Sequence, residues 1–188
     1  KGIDAVVFEA AQICSGQTKN TTAKITAQHG LIYSRLIDSF GEKKADQYAT
    51  ANQKAIDEYE RIIAKEGIDC SFERCPSYLY TLSDAGAVEK EYEAAKRLGI
   101  NAKITERVPA PLKVSKALCF ENQAQFNPMK FVSAIAEGLN IREHTRAKEF
   151  GKDFVTTDSG RISAKNIIVA THFPIINKHG AFFLKMYQ

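Results

Sequence analysis

The run Lys1-Gly2-Ile3-Asp4-Ala5-Val6-Val7-Phe8-Glu9 sets the fold class. Ala5 to Phe8 are uninterruptedly apolar. A strand with one wet face alternates apolar and polar residues, whereas an unbroken run suits a parallel strand covered on both faces. The pattern therefore predicts a buried strand over 3–8 that delivers the carboxylate of Glu9 at its end. A second run of this kind, Ile167-Ile168-Val169-Ala170, ends in Thr171-His172. Two such strands predict an α/β protein with a parallel sheet. A buried strand so near the first residue lacks the partner it would pair with, which is expected of an internal piece of a longer chain.

Working outward, Cys14 to Thr22 is a small-polar loop. The apolar positions Ile25, Leu31, Ile32, Leu36 and Ile37 predict a helix over 22–40, closed by Gly41. A clearer amphipathic pattern runs from Ala45 to Ile63 and stops at Gly67. Phe72, Tyr78 and Tyr80 predict extended chain over 70–82. Ser83 and Asp84 offer the start of a helix that ends near Leu98-Gly99. A short strand is expected over 100–105 and an extended stretch over 117–126. Asn127-Pro128 then signals a helix start, because Asn caps and Pro is tolerated at the first helical position. Its buried stripe is Phe131, Val132, Ile135, Ala136 and Leu139. Short strands over 141–149, 154–157 and 161–164 follow, the last two joined by a turn at Asp158-Ser159-Gly160.

The composition narrows the function classes. The 188 residues are 44% hydrophobic and 26% charged, as in soluble globular proteins. The net charge is +4, but bases and acids are interleaved, as in Lys43-Lys44-Ala45-Asp46. A nucleic-acid surface gathers its bases on one stripe, so no nucleic-acid partner is expected. No apolar run is long enough to span a bilayer, so no membrane partner is expected. Cys14, Cys70, Cys75 and Cys119 show no zinc spacing and read as reduced thiols in a cytoplasmic protein.

Ligands of open parallel sheets bind beyond the carboxyl ends of the strands. Glu9 is placed to accept hydrogen bonds from both ribose hydroxyls of a dinucleotide. It is followed by the loop Ser15-Gly16-Gln17-Thr18-Lys19-Asn20-Thr21-Thr22-Ala23. Taken in order, this strand and loop, the Asn127-Pro128 helix start, and the hairpin leading to Ile167–Thr171 resemble the glycine/D-amino-acid oxidase (DAO) family of FAD enzymes. The stretch Asn20 to Gly30 is similar to a bacterial branch of that family, some members of which carry a Rieske iron–sulfur domain.

The resemblance implies an incomplete FAD/NAD(P)-binding-type, Rossmann-like unit with an inserted α+β substrate-type unit. Residues 1–67 and 126–172 would form the first, and 68–125 with 173–188 the second. It implies that Glu9 holds the ribose. Ser15, Gly16, Thr21, Thr22 and Ala23 would line the loop and helix start along the pyrophosphate and flavin. Ala147 would contact the adenine, and Ala170 and Thr171 would close the cofactor strand. His172 departs from the glycine usual there. On the substrate side the candidates are His29, Tyr78, Tyr80, Gln123, Gln125 and His172.

The implied activity is oxidation of an amine or amino-acid C–N bond by hydride transfer to FAD. Residues 1–188 contain no Gly-x-Gly-x-x-Gly, whose backbone N–H groups normally hold the pyrophosphate. FAD is therefore expected in the intact parent protein, while these residues alone are expected to bind none and to be inactive. An open edge at the first strand is expected to favour a homo-oligomer. The alternatives are a non-catalytic interaction domain on this fold, or an NAD(P)-dependent reductase.

Overall fold

A computed structural model describes residues 2–171 and residue 175. The elements run in chain order as follows: β1 (Val7–Phe8), a 3-10 turn (Gln17–Asn20), β2 (Lys24–Ile25), α1 (Tyr33–Phe40), α2 (Glu42–Glu66), β3 (Glu73–Thr81), α3 (Gly86–Arg97), β4 (Ala102–Thr105), β5 (Lys116–Gln125), α4 (Pro128–Ala136), β6 (Ile141–Arg142), β7 (Ala147–Phe150), β8 (Phe154–Thr157) and β9 (Gly160–Ser163). They fall into two compact units. One is Gln17–Ile135; the other joins Lys1–Gly16 to Ala136–Gln188.

The Gln17–Ile135 unit is built on an antiparallel sheet in which β5 is central. Strand β3 pairs along one edge of β5, while β4 and β2 share the other, β4 opposite 117–120 and β2 opposite 124–125. One face carries Leu79, Leu118 and Ile104 in register, with Phe120 and Ala102 beside them, and it packs on Tyr33, Ala49, Val88, Ala94 and Ala95 from the helices. Leu118 and Phe120 are fully buried, and each such side chain contributes roughly 1.5–3 kcal/mol. Ile25, Ala27, Ile56 and Ala124 form a second core cluster. Helix α2 ends where the sequence indicates: Gly67 takes the left-handed conformation (φ 63°), and the helix closes onto the Ile63 carbonyl. Asn127 caps α4, its Oδ1 accepting the Lys130 N–H at 3.0 Å.

In the other unit, β1 pairs in parallel with β6, Val7 opposite Ile141 and Phe8 opposite Arg142. β7, β8 and β9 form an antiparallel meander. The β8–β9 turn falls at Asp158-Ser159-Gly160 as expected, with Gly160 at φ 136°.

Three expectations are corrected. The strand expected over 3–8 is reduced to Val7–Phe8, and Val7 stays 47% exposed. Only two residues of β6 are available to pair with it, and an apolar run is drawn into a strand only as far as it finds a ladder partner. The run Ile167–Ala170 forms no strand, and Ile168 is 90% exposed; no neighbouring strand among the described residues pairs with it. The helix expected over 22–40 begins only at Tyr33, because Lys24 and Ile25 are extended against Gln125 and Ala124. Tertiary pairing outweighs helical periodicity there. Helices α1 and α2 pack with β5 and α3 in the Gln17–Ile135 unit. The stretch over 172–188 lies outside the described residues, apart from Ile175.

Candidate functional site

Glu9 follows β1 and is held by backbone bonds on both sides. Its N–H donates to the Arg142 carbonyl at 3.0 Å, and its carbonyl accepts the Thr145 N–H at 2.9 Å. The loop beyond it is braced against the same segment. The Ala11 carbonyl accepts the His144 N–H at 2.8 Å, and Glu143 Oε1 accepts the Ile13 N–H at 2.7 Å. Cys14 and His144 both adopt left-handed conformations (φ 62° and 51°), which lets two short turns lie side by side. The Glu9 carboxylate curls over its own turn, with Oε1 accepting the Ala11 N–H at 2.8 Å. Its charge and, more strongly, burial push the nearby Cys14 thiol up from the ordinary range.

A carboxylate has about four lone-pair sites, so after the Ala11 bond Glu9 keeps acceptor capacity for a vicinal diol. The residues present thus fit an adenosine ribose at this strand end. Glu143 is a part of this brace that the sequence reading missed. A carboxylate directly after a two-residue strand carries no signal of its own.

The remaining nucleotide candidates are spread over both units. Ser15 is half-buried and Gly16 exposed in the loop after Glu9, and Ala147 is half-buried at the start of β7. Ala170 and Thr171 are exposed, and His172 lies outside the described residues. Thr21, Thr22 and Ala23 belong to the Gln17–Ile135 unit. They do not start a helix, contrary to expectation. Thr21 Oγ1 accepts the Ala23 N–H at 3.2 Å, and Ala23 (φ 60°) turns the chain into β2. The N-terminus of α1 is already occupied from within the protein. Glu91, fully buried on α3, accepts the N–H groups of Tyr33 at 2.7 Å and Ser34 at 2.9 Å. An acid on the buried stripe of a helix, between Val88 and Ala95, is the signal that could have revealed this cap.

The substrate-side candidates meet different fates. His29 is exposed, its Nδ1 2.8 Å from Tyr48 Oη. Tyr78 is half-buried opposite Cys119, and burial first, then the Cys119 contact, pushes its hydroxyl up. Tyr80 is 46% exposed two residues further along β3. Gln125 is exposed and donates to Glu73 at 3.0 Å. Gln123 is buried, with Oε1 accepting the Ala27 N–H at 2.7 Å and the Thr26 hydroxyl at 3.0 Å. Among the described residues, no group of histidine, cysteine and acidic side chains could hold a metal ion, and no helix is long and apolar enough to cross a membrane.

One unit holds a parallel strand pair that ends in an acid, and the other an antiparallel sheet layered with helices, which together make a mixed α/β architecture. The chain belongs to the FAD dependent oxidoreductase (DAO) family, whose model matches residues 1–180. It is 38% identical over 200 aligned positions to a protein of Bacillus subtilis (strain 168) named as the Rieske 2Fe-2S iron-sulfur protein YhfW. That alignment covers all of this chain but 39% of the relative, so the chain spans about two fifths of that relative's length. Among solved structures, the fold is similar to glycine oxidase from Geobacillus kaustophilus (TM-score 0.68, 16% identity, 88% of this chain and 48% of that one). It is also similar to L-proline dehydrogenase from P. horikoshii (TM-score 0.66, 18% identity, 85% and 44%). L-amino acid deaminase from Proteus myxofaciens shares it too (TM-score 0.62, 16% identity, 88% and 39%).

Proposed function

We propose that the protein to which these residues belong oxidises the C–N bond of an amine or amino acid, using FAD. The observation that carries this reading is Glu9, an acid held at a strand end by the 142–145 segment, in a chain matched by the FAD family over 1–180. Bound FAD supplies the hydride acceptor, and the protein supplies binding, orientation and exclusion of water.

In this reading Glu9 accepts the ribose hydroxyls. Ser15, Gly16, Thr21, Thr22 and Ala23 border the pyrophosphate and flavin, Ala147 meets the adenine, and Ala170 and Thr171 close the cofactor strand. The substrate class is supported by relatives of this fold whose names specify proline, glycine and L-amino acids. Of the substrate-side candidates, His29, Tyr80 and Gln125 are exposed, Tyr78 is half-buried, Gln123 is buried and His172 lies outside the described residues. Family membership favours FAD over a nicotinamide cofactor, and oxidation over a purely structural role.

The test is expression of the full-length protein, release of its cofactor by heat, and assay with glycine, L-proline and other L-amino acids in the presence of an artificial electron acceptor. The expected result is stoichiometric FAD and turnover of at least one amino acid or amine. A full-length protein without flavin contradicts the reading. The name of the Bacillus subtilis relative favours one addition: that electrons leave toward an iron–sulfur centre elsewhere in the polypeptide. Anaerobic addition of a turned-over amino acid should then produce the electron paramagnetic resonance signal of a reduced 2Fe-2S cluster.

A further inference from the structure

We propose that Gln123 is a positioning residue, which holds the segment following Thr21-Thr22-Ala23 in the shape that cofactor binding requires. This inference rests on the FAD reading above.

After the two residues of β2, the segment Thr26–Gly30 has neither helix nor sheet to satisfy it. Side chains from other elements do so instead. The Gln123 carboxamide oxygen receives both the Ala27 N–H at 2.7 Å and the Thr26 hydroxyl at 3.0 Å. The Ala27 carbonyl accepts the Tyr33 hydroxyl at 2.6 Å. Gln28 is itself buried and anchored at both ends of its amide: Nε2 donates to the Leu118 carbonyl at 3.1 Å, and Oε1 accepts the Ser77 hydroxyl at 2.6 Å. At the near end of the segment, the Ala23 carbonyl accepts the Phe126 N–H. Buried polar groups are costly unless satisfied, and among the described residues no buried side-chain N or O lacks a hydrogen-bond partner, so these bonds favour one backbone shape.

Gln123 reaches this position because β5 is irregular just before it. Cys75 pairs with Gln123 and Ser77 with Phe120, so Glu121 and Asn122 together oppose Pro76. Proline cannot donate to the ladder, and Asn122 takes φ 56°. The extra residue is a β-bulge, and bulges re-aim side chains, often beside active sites. Here the re-aimed side chain is a fully buried amide whose oxygen is spent on the Thr26 hydroxyl and the Ala27 N–H. Its Nε2 donates to the Glu121 carbonyl at 2.8 Å, which locks the amide's orientation. A hydrocarbon would fill the same core position, so the placement of an amide there points to control of the adjoining loop.

The experiment uses the full-length protein. Gln123→Met keeps length and bulk but removes the acceptor. It should raise the dissociation constant for FAD at least tenfold and shift the flavin absorption maxima. Tyr33→Phe removes only the hydroxyl that holds the Ala27 carbonyl, and it should act in the same direction even if Gln123→Met folds poorly. Val88→Ala, a core change on α3, serves as the comparator: it should lower thermal stability yet leave FAD affinity within about twofold. Wild-type FAD affinity and spectrum in both Gln123→Met and Tyr33→Phe overturn the inference. So does an equal loss of FAD in Val88→Ala, which would make the effect one of general stability. A wild-type protein that binds no FAD overturns this inference together with the reading it rests on.

Discussion

The carboxylate of Glu91, in the middle of α3, is the N-terminal cap of α1, accepting the Tyr33 N–H at 2.7 Å and the Ser34 N–H at 2.9 Å. A helix start leaves N–H groups without partners, and here a side chain from 57 or 58 residues away satisfies two of them. The carboxylate also complements the positive end of the helix dipole. Glu91→Ala strands two N–H groups, one of them buried, and should cost about 2–4 kcal/mol. Glu91→Gln keeps one oxygen acceptor and should cost about half as much. Urea unfolding checks both. A loss below about 0.5 kcal/mol for the alanine variant would show that water or a shifted helix takes over the cap.

Gly151 and Phe154 form the tight end of the β7–β8 hairpin, with the Gly151 N–H donating to the Phe154 carbonyl at 2.8 Å. A β-carbon at 151 would collide with the Phe154 ring. The ring cannot retreat freely, because the Arg161 guanidinium sits 3.5 Å over its centroid. Gly151→Ala should therefore displace Phe154 and destabilise the meander by about 1–3 kcal/mol, as overpacking commonly does. Amide hydrogen exchange should show the loss of protection confined to 147–163. Unchanged exchange there would contradict the packing described.

The thiols give a pH prediction. Burial pushes all four cysteines above their ordinary range, and Glu9 adds to the effect at Cys14 as Glu73 does at Cys75. A raised pKa disfavours the thiolate, which is the reactive form, so reactivity is suppressed near neutrality and rises with pH. Iodoacetamide should label half-buried Cys14 and Cys75 more slowly than a model thiol at pH 7.5, with rates climbing beyond pH 9. Cys70 and Cys119 are buried and should label only on unfolding. Fast labelling of Cys14 at neutral pH would contradict its placement beside Glu9.

Local signals were legible in the sequence, and partner-dependent ones were not. Gly67 ends α2 and Asn127 caps α4 because each rests on the residue's own backbone or side-chain chemistry. The runs over 3–8 and 167–170 were misjudged because a buried strand is a property of its neighbours, and the described residues supply β1 with one paired strand of two residues. Periodicity suggested a helix starting at 22, where the pairing of Lys24 and Ile25 with β5 dictates extended chain. The position of Glu9 directly after β1 was legible from the apolar run before it. Gln123 was singled out, but as a group for a substrate. Simple strand alternation gives no sign of a bulge at Asn122 that turns it toward Thr26 and Ala27.

The 188-residue polypeptide by itself should be colourless. It holds Glu9 but no Gly-x-Gly-x-x-Gly, and a doubly charged pyrophosphate stripped of water needs the donors of such a loop. Adding FAD and removing the excess by gel filtration checks this. Flavin retained at one equivalent would show that other donors within these residues suffice.

The role of Glu9 is tested most directly by titrating FAD into the full-length apoprotein and its Glu9→Ala variant, followed by quenching of flavin fluorescence. The predicted result is a wild-type protein that binds one FAD and a variant weakened by about 1–3 kcal/mol, the range for charge-assisted hydrogen bonds to a ribose. Equal affinity in the two proteins would contradict the account, leaving Glu9 as no more than the acid that closes the turn at Ala11.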